Sequence, residues 1–152
     1  MRRFSKLKKR IEGLFAPNLN LCVYCNVYQR PCYYGGTSDI PRLWLTLNKE
    51  IIFDFGKDFE NMRIIDAESD RWYGSEGRPY FWSDITDINN LIQKYIETPV
   101  NLLFDKVFEK DYFGITDILK AADRRIGKNR LLVLRQNSQN QAVKKIVDAR
   151  TS

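Results

Sequence analysis

The alternation of LCVYCNVYQ at 21–29 constrains this chain more than any other stretch. Successive residues of a strand point to opposite faces, so Leu21, Val23, Cys25 and Val27 share one side while Cys22, Tyr24, Asn26 and Tyr28 share the other. A strand with one apolar side needs neighbours and a cover. RLWLTL at 42–47 and EIIFDF at 50–55 provide the neighbours, flanking Asn48 and Lys49, and asparagine enters the left-handed turn conformation that a two-residue hairpin requires. The turn formers of RPCYYGGTSDIP at 30–41 connect the first strand to this hairpin. The expected sheet is a three-stranded antiparallel meander.

Elsewhere the apolar period changes to that of helices. Phe4, Leu7, Ile11, Leu14 and Phe15 form a stripe with Arg3, Lys6, Lys9 and Arg10 behind it, and Pro17 stops the run. Ile85, Ile88, Leu91, Ile92, Tyr95 and Ile96 predict the clearest helix, capped by Ser83 or Asp84. Thr98 then reads as the N-cap and Pro99 as the first residue of a helix over VNLLFDKVF at 100–108. Gly114 opens a further helix over ITDILKAADRRI, with Asp117 at its positive start, Arg124 and Arg125 at its end, and Gly127 as its stop. Leu131, Leu132 and Leu134 predict one more. Residues 56–82 show no steady period and read as an irregular excursion with one short strand near Arg63 to Ile65.

The expected fold class is α+β, a small antiparallel sheet with an N-terminal amphipathic helix and a helical C-terminal half. Its 152 residues suit one domain, assigned to 1–136. Residues 137–152 read as a polar, partly helical tail whose weak pattern at Ala142, Val143, Ile146 and Val147 predicts fraying or contact with a neighbour. Charge in MRRFSKLKKRIEGLF replaces the apolar core of a signal peptide, and no apolar run approaches the roughly 20 residues that span a bilayer. The expectation is a cytoplasmic protein with no membrane attachment.

The stretches FSKLKKRIEGLF at 4–15, IPRLWLTLNKEIIFDF at 40–55 and YFGITDILKAADRRIGKNRL at 112–131 resemble a small family of uncharacterised bacterial proteins of similar length. The resemblance implies a bacterial, cytoplasmic, single-domain protein; it implies no activity, cofactor or catalytic residue.

Function is constrained first by the absence of histidine from the whole sequence, which removes Ser-His and Cys-His triads and His-Glu zinc sites. Cys22, Cys25 and Cys32 are spaced as C-x-x-C-x6-C, but strand alternation sends the first two to opposite faces, so neither a metal nor another cofactor is expected. Carboxylates can perform acid-base work alone, which brings forward Asp54, Asp58 and Glu60, or Asp117 and Asp123 with Arg124, Arg125 and Lys128, although spacing shows no cleft and the reading leans away from an enzyme. Aromatic residues concentrate where turns need none, and Trp72, Tyr73, Tyr80 and Trp82 are expected to contact a protein partner or a second copy of the chain.

Charge supports an alternative. Residues 1–15 hold six Lys/Arg against one Glu and residues 120–152 nine against two Asp, while the segment between holds 16 acids against ten bases. In that reading Lys6, Lys9, Arg10, Lys128, Arg130, Lys144 and Lys145 contact RNA or DNA phosphates, and Tyr24, Tyr28 and Trp44 stack on bases. Solvated helix faces and an acidic body for the basic ends to lie against explain the same charges.

Overall fold

The computed structural model describes residues 4–31, 37–54, 85–109, 111 and 114–152. The expected excursion at 56–82, with its strand at Arg63 to Ile65, lies outside them, as do Ser83 and Asp84. Three strands, β1 (Leu21–Pro31), β2 (Thr37–Leu47) and β3 (Glu50–Asp54), form an antiparallel sheet in the order β1-β2-β3. Six helices accompany them among the described residues: α1 (Phe4–Glu12), α2 (Ile85–Glu97), α3 (Val100–Leu103), α4 (Ile115–Ala122), α5 (Lys128–Asn137) and α6 (Gln141–Thr151). The architecture is α+β, as the alternation and the helical stripes require.

Leu21 pairs with Leu47 and Val23 with Leu45, which puts the apolar side chains of both strands on one buried face. Asn48 and Lys49 close the β2–β3 hairpin with φ of 52° and 69°, the turn in which both residues are left-handed. A bulge after Leu45 sets Leu45 opposite Phe53 but Thr46 opposite Ile51. The longer reach of β2 differs from the sequence reading, which begins it at Arg42. Pro41 lies opposite Val27, past the described β2–β3 pairing that ends at Trp44, where a strand tolerates a missing N–H.

Leu7 and Ile11 of α1 are wholly buried against this sheet and α2, a burial worth roughly 2 kcal/mol per side chain by area. Two further residues of α1 attend to the edge strand. Glu12 accepts the Val23 N–H at 2.9 Å, and Lys8 donates to the Val23 carbonyl at 2.5 Å and to Glu12 at 2.7 Å. One helix turn thereby satisfies the outward donor and acceptor of Val23 on β1.

Local chemistry moves three helix boundaries from where the sequence sets them. Thr98 does not cap α3; its hydroxyl and amide bond Lys94 and Tyr95 carbonyls to close α2, and Pro99 takes the N-cap position. α3 stops at Leu103 rather than Phe108, and the buried Lys120 ammonium donates to the Phe104 and Lys106 carbonyls at 3.0 Å each. α4 ends at Ala122 rather than Ile126 because Asp123 turns extended and pairs with Phe15, through Ala16 N–H to Ala122 and Arg124 N–H to Leu14, both 2.8 Å.

At the C-terminus the weak apolar pattern of residues 137–152 belongs to a docked helix. Asn140 caps α6 by accepting the Ala142 N–H, and Ala142, Val143, Ile146 and Val147 are buried between α4, α5 and β3. Arg150 fixes the far end by donating to the Ala121, Asp123 and Ile126 carbonyls at 2.9, 2.9 and 3.1 Å.

Candidate functional site

Three polar constellations and one apolar surface bear on function. The first is the outward side of the sheet, where cross-strand partners Tyr24 and Trp44 stack with centroids 5.3 Å apart. Lys8 stands 4.5 Å above the Tyr24 ring and Arg42 stands 4.3 Å above that of Trp44. Each cation is held by a carboxylate, Lys8 by Glu12 and Arg42 by Asp54 through bonds of 2.9 and 2.5 Å. The two rings therefore already have cations, and the cations already have counter-ions. On the inward side Cys25 is a free thiol pushed up to about 12 by burial, and Cys22 is also free. Cys32 and the side chain of Tyr28 lie outside the described residues.

The second constellation centres on Asp123, wholly buried at the end of α4. Its carboxylate accepts from the Tyr95 hydroxyl at 2.8 Å, from Arg125 Nε and Nη2 at 3.0 and 2.7 Å, and from the Arg125 amide at 2.9 Å. Burial, and then the neighbouring Asp123 charge, raise the Tyr95 phenol above its usual range, while the bond to Asp123 raises Arg125. With both oxygens occupied by fixed donors, the carboxylate ties Tyr95 and Arg125 together as a structural anchor. Arg124, the other arginine of the sequence reading, reaches the Gly13 carbonyl at 2.6 Å instead.

The third surrounds Lys120. Asp111 caps α4 from outside it, accepting from the Ile115 and Thr116 amides at 2.7 and 3.0 Å and from the Thr116 hydroxyl, while Gly114 at the N-cap takes φ 71°. Asp117 lies 3.9 Å from Lys120. Burial lowers the lysine against the pull of Asp117, and burial raises Asp117 against the pull of the lysine. This group builds the α3–α4 corner. Asp54 is bound to Arg42, and Asp58 and Glu60 lie outside the described residues; Asp117 and Asp123 enter separate contacts, the first with Lys120 and the second with Tyr95 and Arg125.

Among the described residues, Ile51 on β3 is 53% exposed and Tyr24 on β1 36%, and five aliphatic residues are exposed in the helical half. Val100 is 41% exposed and Leu102 59% on α3, Val107 is 91% exposed just beyond it, and Leu132 and Val133 are 45% and 46% exposed on α5. The Arg130 guanidinium sits 5.3 Å above the Phe104 ring, which sets the start of α5 beside the end of α3. Sequence reasoning missed these residues. Leu132 and Val133 were detectable as the pair off the buried Leu131 and Leu134 stripe; Val107 carried no signal, because the helix assigned to it ends early.

Of the expected contact residues, Trp72, Tyr73, Tyr80 and Trp82 lie outside the described residues. The basic set is spread over three helices: Lys6, Lys9 and Arg10 on α1, Lys128 and Arg130 on α5, and Lys144 and Lys145 on α6. All but the half-buried Lys144 are exposed. Among the described residues no group of three or more cysteines and carboxylates is placed to hold a metal, and no helix is long and apolar enough to cross a membrane.

A three-stranded meander guarded by a basic helix and closed by a helical half defines a compact α+β class of protein. Within that class the chain belongs to the SF0329 protein family, which it matches over residues 3–151. No curated protein and no solved structure matches it.

Proposed function

We propose that this chain is a non-enzymatic, cytoplasmic bacterial protein that works by binding another protein. The observation that carries the reading is the exposure of Val100, Leu102 and Val107 in and just after α3 and of Leu132 and Val133 on α5, two elements that meet at the Phe104–Arg130 contact. Exposed aliphatic side chains gathered in one part of a surface mark contact sites, whereas isolated ones do not. Free thiols at Cys22 and Cys25 suit a reducing compartment. The occupied carboxylate of Asp123 favours binding over acid-base chemistry.

The test is capture of proteins by the immobilised full chain, before and after nuclease treatment. Capture that survives nuclease and is lost in Leu102→Asp/Val107→Asp supports the reading; the Trp72→Ala/Tyr73→Ala variant tests the aromatic contribution expected from sequence. Capture abolished by nuclease favours the RNA or DNA alternative through Lys6, Lys9, Arg10, Lys128, Arg130, Lys144 and Lys145. Anisotropy of labelled oligonucleotides would then fall steeply with salt.

A further inference from the structure

Between residues 4 and 13 the exposed positions are Ser5, Lys6, Lys9, Arg10 and Gly13, with no apolar side chain among them. Lys6, Lys9 and Arg10 fall within an arc of about 100° by helix geometry, and Gly13, whose amide still bonds the Lys9 carbonyl at 3.1 Å, continues the same face. There the Gly13 carbonyl accepts from Arg124 at 2.6 Å, so a fourth exposed cation extends the row from the far part of the chain. None of the four forms an ion pair among the described residues. The described acids of adjoining segments are held by other groups: Glu12 by Lys8 and the Val23 amide, the buried Asp123 by Tyr95 and Arg125, and Glu97 at the end of α2 by Gln93.

We infer that the outward face of α1, completed by Arg124, binds the phosphate backbone of a nucleic acid, an inference that goes beyond the protein-binding reading and uses other residues. Four cations spread over about 10 Å of helix length face a polymer that repeats a negative charge along each strand. A protein partner fits this face less well, because protein interfaces are apolar and depleted of charge at their centre. The bases of α5 and α6 are left out of the site because acids interleave with them. Asp105 follows the Phe104 on whose ring Arg130 sits, and Asp148 stands one turn from Lys144 and Lys145. Contacts to phosphates alone hold a strand in place without reading its bases.

Anisotropy of labelled poly-uridine of about 20 nucleotides, and of a DNA duplex of the same length, tests this with the full chain over a salt series. Wild-type protein is expected to bind both at low salt, and four phosphate contacts give log K a slope of about −3 against log salt on the single strand. Lys9→Gln/Arg10→Gln removes two contacts, so that slope falls to about half and affinity at low salt drops by about 10-fold or more. Arg124→Gln lowers the slope by about 0.7. Lys128→Gln/Lys145→Gln, with the same loss of charge as the first variant, binds as the wild type does. These are exposed positions, so circular dichroism stays that of the wild type. No binding by the wild type at low salt, unchanged binding in Lys9→Gln/Arg10→Gln, or equal losses in both double variants overturns the inference. Poly-glutamate bound as tightly as the RNA overturns it too and gives this face to an acidic protein. Protein capture that depends on Leu102 and Val107 stands or falls apart from each of these results.

Discussion

Asp123–Arg125 and Arg135–Asp148 are the same chemical object in two settings. Each is an arginine fork on a carboxylate with its shortest bond at 2.7 Å, and each shifts its arginine upward. Asp123 is wholly buried and binds Tyr95 as well; Asp148 is exposed, and the bond to Arg135 holds its carboxyl below the usual range. Matching geometry does not mean matching energetics. Removing a buried partner strands the groups that depended on it, whereas water replaces an exposed one at once.

Asp123→Ala should break that contrast most visibly, with a loss of about 4 kcal/mol in urea unfolding as Tyr95 and Arg125 lose their shared acceptor. An effect below about 1 kcal/mol would mean that water enters the site. Ile146→Ala, two residues from Asp148 on the same helix, should cost about 3 kcal/mol by leaving a cavity. Tyr95→Phe keeps the ring and removes one donor from Asp123, for a loss of about 1.5 kcal/mol. Cys25 sharpens the point through pH. Its unfolded thiol titrates near 9.0 and its folded one at about 12, so the folded chain keeps a proton that the unfolded chain releases. Stability from this group is full below pH 9 and declines as pH rises toward 12, by about 1 kcal/mol at pH 10, and Cys25→Ala should flatten that slope in urea midpoints. Asp148→Ala should leave the unfolding midpoint where it is.

The sequence carried those parts of the fold that local periodicity encodes. Leu21 to Cys25, the Asn48–Lys49 turn and the Ile88 to Tyr95 stripe need only residues within a few positions of one another, and all stand as read. The Asp123 cluster was illegible because Tyr95 lies 28 residues before the carboxylate and Arg150 lies 27 after it. Asp123 was visible as a carboxylate and invisible as an anchor. The same long reach hid the docking of α6: four apolar residues in a polar helix predict little until α4, α5 and β3 meet them. Early helix ends at Leu103 and Ala122 depended on Lys120 and on the strip at Phe15, both far along the chain. Of the candidate surface, its aromatic part at Trp72 to Trp82 falls outside the described residues, and its aliphatic part needed those shortened helices before it could be seen.

The grip of Lys8 and Glu12 on Val23 has a consequence for the order of synthesis. The guarding residues leave the ribosome before the strand they protect, so the nascent chain holds the means to shield that stretch of β1 as it emerges, ahead of the arrival of β2.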